Sequence, residues 1–194
     1  MKRFALAGAP LALLLLFASA ASTDAPALKA GVFSPSRPAP DFSLRGSDGR
    51  GLTLSRYHGK VIVLSFGYTS CSNVCPITLA TLAQARRSLG SLAADLQVVY
   101  VTVDPERDSA ERMQAYLRSF DATFLGGTGT ADELAAVRKQ YGILAEKKGS
   151  GSDYTIAHSS YTLLIDRSGN VRALMPYGHS AEDYAHDLKI LVRE

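Results

Sequence analysis

The sequence predicts an α/β sandwich, and three observations carry that prediction. Residues 61–66, Val-Ile-Val-Leu-Ser-Phe, form a nearly unbroken apolar run of the kind a strand takes when both its faces are covered. Farther on, Met113, Tyr116, Leu117 and Phe120 recur at i, i+3, i+4 and i+7, the period of an amphipathic helix. The chain then closes on two apolar runs, 160–166 and 170–175, joined by Arg167-Ser168-Gly169, and on a final helix.

Taken in order, the first twenty residues read as a secretory signal peptide. Lys2 and Arg3 precede an apolar run over 4–17, and Ala18-Ser19-Ala20 gives a small-x-small cleavage pattern. The run falls short of the ~20 apolar residues of a membrane span, and Gly8 and Pro10 interrupt it. The alternative is an uncleaved N-terminal anchor, hence possible membrane anchoring through the N-terminus. Either reading puts the remainder outside the cytoplasm, periplasmic or membrane-anchored facing the periplasm. Loss of residues 1–20 would remove Lys2 and Arg3 but no acidic residue, taking the formal charge from +3 to +1. So neutral a domain offers no electrostatic case for nucleic acid.

Residues 21–40, rich in Ala, Pro and Ser, read as a linker or arm. Residues 41–194 read as one domain. It opens on a hairpin over 41–59, around the turn dipeptide Asp48-Gly49. After the 61–66 strand comes a helix over 76–89 with Leu79, Leu82 and Leu89 inward and Gly90 as its stop. A second strand spans 96–103. Asp108 and Glu111 then form a capping-box pattern ahead of the periodic helix, and Thr130 and Glu133 open another that Gly142 closes. Gly149-Ser150-Gly151-Ser152 reads as a flexible loop. The last helix starts near Ser180 and buries Tyr184, Leu188 and Leu191. Strands alternating with helices imply a parallel pair with a crossover helix. The terminal hairpin and helix complete a thioredoxin-like sandwich with an added N-terminal hairpin.

The chemistry concentrates between the first buried strand and its helix. The two cysteines of the chain, Cys71 and Cys75, stand there, followed by Pro76, which suits a first helical turn. Cys75 is expected at the cap and Cys71 just outside it, where unpaired N–H groups and the helix dipole favour a thiolate. A bridge across so short a loop constrains little of the unfolded chain, so these thiols are read as chemistry. Two sulfurs at one point can form and break a disulfide, or hold a soft metal such as Cu(I) or zinc. Four histidines are available as further ligands. His58 lies in a polar turn, His179 beside the last helix start, and His186 on that helix in a solvated setting. His158 immediately precedes an apolar strand, in a loop that this layout places beside the cysteines; from its spacing alone, a ligand and a local structural histidine are equally open readings.

Three stretches together resemble the SCO/SenC family: Gly67-Tyr68-Thr69-Ser70-Cys71-Ser72-Asn73-Val74-Cys75-Pro76, then Val101-Thr102-Val103-Asp104-Pro105-Glu106-Arg107-Asp108, then His158 followed by Leu164-Ile165-Asp166. The resemblance runs from about Pro40 to the C-terminus. It implies a thioredoxin fold binding one copper ion, Cu(I) or Cu(II), through Cys71, Cys75 and His158. It also implies a non-enzymatic metallochaperone whose partner is the copper-bearing subunit of cytochrome c oxidase, or another copper donor or acceptor protein. The alternative is a thiol–disulfide oxidoreductase that reduces a partner's cysteines through Cys71 and Cys75. A third reading is a Cys₂His zinc site with an open position. Asp104 matches a family aspartate near the site and reads equally well as a turn-former before Pro105. The chain departs from the family where Ser72 and Asn73 replace Pro and Asp, and where Ala157 replaces an Asp before the histidine.

Overall fold

Where the sequence suggested a linker, the chain forms an edge strand. The computed structural model describes residues 27–151 and 153–194, so the signal-peptide reading of residues 1–20 lies outside the described residues. Gly31–Pro38 (β1) pairs antiparallel with a C-terminal strand, with Gly31 opposite Leu174 and, after a shift in register, Arg37 opposite Val171. Almost every β1 side chain is exposed, so no apolar alternation marks it in the sequence. Its entry is pinned by Asp187, a fully buried carboxylate that accepts from the backbone N–H groups of Lys29 and Ala30, each at 2.8 Å.

The expected N-terminal hairpin follows as Ser43–Gly46 (β2) and Thr53-ending Gly51–Thr53 (β3). Val61–Gly67 (β4), Val74–Ser88 (α1), Leu96–Thr102 (β5) and Ala110–Arg118 (α2) form the expected strand–helix–strand–helix run. Then come Leu125–Thr128 (β6), Ala131–Tyr141 (α3), Ala145–Ser150 (β7), Asp153–His158 (β8), Tyr161–Ile165 (β9), Asn170–Pro176 (β10) and Ala181–Arg193 (α4). Eight strands form one sheet in the order β1-β10-β9-β4-β5-β6-β2-β3. β4 is central, parallel to β5 and antiparallel to β9, and all seven of its residues are buried. That is why its sequence shows no alternation. α1 packs on α4, and α2 lies on β6. The fold is the thioredoxin-like sandwich the sequence predicts.

Three further strands, β6, β7 and β8, escaped the sequence. β6 reads Leu-Gly-Gly-Thr and has little apolar content because helix and hairpin come too close for side chains. A Cβ at Gly126 would stand 2.9 Å from Met113, and one at Gly127 would stand 2.8 Å from Leu52. β7 and β8 form a separate two-stranded hairpin, with Ala145 opposite His158. Gly149 and Ser150, read as part of a flexible Gly/Ser loop, are the last two residues of β7, with Gly149 opposite Tyr154 and Ser150 opposite Asp153.

Helix starts are partly as expected. Thr130 and Glu133 form a reciprocal capping box on α3, which ends at Gly142 in the left-handed conformation, φ 70°. Ser180 and Asp183 do the same for α4. The Asp108–Glu111 cap is a correction: Ser109 is the N-cap, accepting from Arg112 N–H, and Asp108 turns into the core. α1 begins at Val74 rather than Pro76, so Cys75 lies inside the first turn instead of at the cap.

Two consequences are measurable. Asp187→Ala would leave two backbone N–H groups without their acceptor, at a cost of about 1–3 kcal/mol in urea unfolding, with faster amide exchange at Lys29 and Ala30. The caps make a pH signature. Glu133 and Asp183 are held below the usual carboxylate range, first by the backbone N–H of Thr130 and of Ser180 respectively. A depressed folded pKa means the stabilisation is complete at neutral pH and is lost as pH falls below about 4. Helical ellipticity should therefore decline on acidification, and less steeply in Glu133→Gln.

Candidate metal centre

The cysteine loop leaves the sheet where β4 and β5 end side by side, Gly67 opposite Thr102. This is the carboxyl edge of the parallel pair, where open α/β sheets place their sites. Cys71 is half-buried in the turn, its N–H donating to Tyr68 O, and Cys75 is buried as the second residue of α1. The thiols are both free.

Asp108 holds this loop in place. Its fully buried carboxylate accepts from Thr69 N–H at 3.0 Å, the Thr69 hydroxyl at 2.5 Å and the Thr102 hydroxyl at 2.6 Å. Hydrogen bonds to a charged group contribute roughly 1.5–3 kcal/mol each, so the loop is fixed to the end of β5 by strong contacts. Arg112 adds a second clamp, donating to the Thr69 and Ser70 hydroxyls at 2.7 and 3.1 Å.

His158 arrives from the other side, at the end of β8. The β7–β8 hairpin is outside the main sheet, so side chains must anchor it. The Tyr68 hydroxyl accepts from Ile156 N–H at 3.2 Å. The Tyr154 hydroxyl donates to Asp104 at 2.7 Å, and Arg107 bonds the same carboxylate while its guanidinium lies 3.7 Å from the Tyr154 ring centre. Arg107 also donates to Tyr154 O at 3.1 Å. Burial, and next the bond to Asp104, push the Tyr154 phenol up to about 12. Asp104 therefore does more than form a turn: it is 1% exposed and ties the β5–α2 loop to the strand that carries His158.

The histidine's tautomer follows from its neighbours. Nδ1 lies 2.9 Å from Ser159 O, which can only accept, so Nδ1 carries the proton. In the neutral ring this leaves the Nε2 lone pair facing Cys75 Sγ at 3.4 Å. A backbone carbonyl on the far nitrogen is the usual way a metal-ligating histidine is oriented. One donor atom each from Cys71, Cys75 and His158 lies within 4.8 Å of the others. Two sulfurs and a ring nitrogen suit copper or zinc by softness and charge.

The structure thus brings together the three residues singled out from sequence. It does not bring the other histidines. His58 packs against Gly169, His179 lies 3.4 Å from Asp183, and His186 lies 2.9 Å from Asp187. His158 itself ends a strand instead of lying in a loop. Tyr68, Arg107, Asp108 and Tyr154 were not assigned a part in the site from the sequence, although the alternation Tyr154, Ile156, His158 was a strand signal.

Known proteins share this fold. The family model described as SCO1/SenC matches residues 34–193. The chain is 32% identical over 153 residues to the mitochondrial SCO2 homolog of Bos taurus, covering 77% of this chain and 58% of that protein. It spans about three fifths of the length of the curated relatives it matches. Among solved structures, copper-bound ScoI of Bradyrhizobium japonicum superposes with a TM-score of 0.74 at 33% identity, covering 79% of this chain and 99% of that one. Copper-bound yeast Sco1 superposes with a TM-score of 0.73 at 26% identity, covering 81% and 90%.

The anchoring of the hairpin is testable without any metal. Tyr154→Phe removes one donor from the buried Asp104 carboxylate and should cost about 1–3 kcal/mol of stability. The loss should be local: amides of β8 should exchange faster, while those of β4 and β5 keep their protection.

Proposed function

We propose that this chain, which belongs to the SCO1/SenC family, binds copper through Cys71, Cys75 and His158 and delivers it to the binuclear copper centre of cytochrome c oxidase. The convergence of two free thiols and an unprotonated Nε2 within 4.8 Å carries the reading. Thiolates hold Cu(I), and the imidazole extends the site to Cu(II). Three protein ligands leave one side of the ion for an acceptor's ligands, which handover requires.

The surface around the site supports a protein partner. Ile77, Leu144 and Tyr177 are three of the four large apolar side chains exposed among the described residues. Ile77 stands two residues beyond Cys75, Leu144 O accepts from Ser159 N–H while Leu144 N–H donates to the Ser159 hydroxyl, and Tyr177 N–H donates to Ser160 O. All three therefore border the elements that carry the ligands. The basic, apolar and small-residue pattern of residues 1–20 supports an exported position facing the periplasm. No helix among the described residues is long and apolar enough to cross a membrane.

One observation also favours a thiol–disulfide oxidoreductase: Cys71 is half-exposed beside a second free thiol in a thioredoxin-like fold. The two readings part at His158, because disulfide exchange runs on the cysteines alone. His158→Ala should fold and form the Cys71–Cys75 disulfide normally, yet lose most of the thiolate-to-Cu(II) absorption band and bind Cu(I) more weakly. His58→Ala and His179→Ala should keep the parental band. If His158→Ala binds copper like the parent and supports oxidase assembly fully in cells, the reductant reading replaces the chaperone.

A further inference from the structure

One buried phenol lies beside the site with nothing to bond. Tyr100, on β5, is 1% exposed, and its hydroxyl has no hydrogen-bond partner among the described residues. Gly67, at the end of β4, is what lets it come so near. A Cβ at Gly67 would stand 2.1 Å from the Tyr100 hydroxyl and 2.8 Å from Cys75 Sγ. The hydroxyl and the sulfur thus lie within 3 Å of one point, with only a glycine between them. Three nearby polar groups are already engaged: the Thr162 and Tyr184 hydroxyls bond each other at 3.0 Å, and His158 Nδ1–H donates to Ser159 O. A buried donor without an acceptor is costly and calls for an explanation.

We propose that the Tyr100 hydroxyl is a positioning donor to Cys75 Sγ, which it bonds when that sulfur is a thiolate or a copper ligand. As a neutral thiol, Cys75 is a weak acceptor, and His158 Nε2 faces its sulfur at 3.4 Å. Removing the proton or adding copper leaves negative charge on the sulfur, and the Tyr100 phenol is an orphan donor beside it. Burial first, and the neighbouring Cys75 next, raise the Tyr100 phenol well above its ordinary range, so it keeps the proton it donates. Donation to a copper-bound thiolate withdraws charge from the sulfur and tunes the metal's potential. The same donation favours the reduced pair, through its thiolate form, over the disulfide, whose sulfurs carry no charge to be stabilised. The copper effect rests on the function proposed above; the disulfide effect rests on Cys71 and Cys75 alone.

Tyr100→Phe in the full chain removes only the hydroxyl. The first readout is metal-free. Two glutathione thiols reduce the Cys71–Cys75 disulfide, giving one glutathione disulfide and two protein thiols. The Phe variant should hold its disulfide about tenfold more strongly in that equilibrium at fixed pH, about 30 mV for a two-electron couple. The second readout is the thiolate-to-Cu(II) band, which should move to longer wavelength as the sulfur donates more freely. Tyr184→Phe removes a hydroxyl from the same neighbourhood, one bonded to Thr162, and should move neither quantity. Parental values for both in Tyr100→Phe, or equal shifts in Tyr184→Phe, overturn the proposal. A shifted glutathione equilibrium in a chain that never develops the copper band supports this inference while refuting the copper reading.

Discussion

The site depends on one bridge across a gap in the fold. The cysteines belong to the central sheet, but His158 rides on a hairpin outside it. The bond from the Tyr154 hydroxyl to Asp104, with Arg107 packed on the same ring, closes that gap. Beside it, β8 is held from the sheet side by Ile156 N–H donating to the Tyr68 hydroxyl and by Arg107 donating to Tyr154 O. A metal site needs its donor atoms positioned within a fraction of an ångström, and only a rigid hairpin can offer Nε2 to sulfurs on another element. Asp104 and Asp108 divide this work. Asp108 fixes the cysteine loop, and Asp104 fixes the histidine strand; both leave the same short segment between β5 and α2.

That division explains why carboxylates lie so close to the site without joining it. Each is buried and takes up donors from the protein on both oxygens, and the cluster of potential metal donors among the described residues holds Cys71, Cys75 and His158 without them. The donor set stays soft, two sulfurs and one nitrogen, which suits a cuprous ion better than a hard one. Ala157 stands where the family often carries an acid beside the histidine, and the ring's Nδ1 is held here by Ser159 O.

What could be read in the sequence follows from burial. β4 was legible because every position is covered, and α3 because both capping residues and a terminal glycine mark its ends. β1 was hidden because its side chains face solvent, and β6 because Gly126 and Gly127 replace the side chains that would have announced it. The Asp108–Glu111 pattern misled because it is a genuine capping spacing; the neighbouring Ser109 takes that role and frees Asp108 for the core. Cys71, Cys75 and His158 could be chosen from chemistry and resemblance. Their supports could not, since a tyrosine or arginine that anchors a hairpin looks like any other until the hairpin itself is seen.

The central claim is that two sulfurs and one nitrogen form a single copper site. Diffraction from copper-loaded crystals at the copper absorption edge tests it most directly. The account expects one anomalous peak per chain, in contact with Cys71 Sγ, Cys75 Sγ and His158 Nε2, with the hairpin in its present place. A peak bound by the cysteines but out of reach of His158, or one elsewhere on the chain, would contradict it.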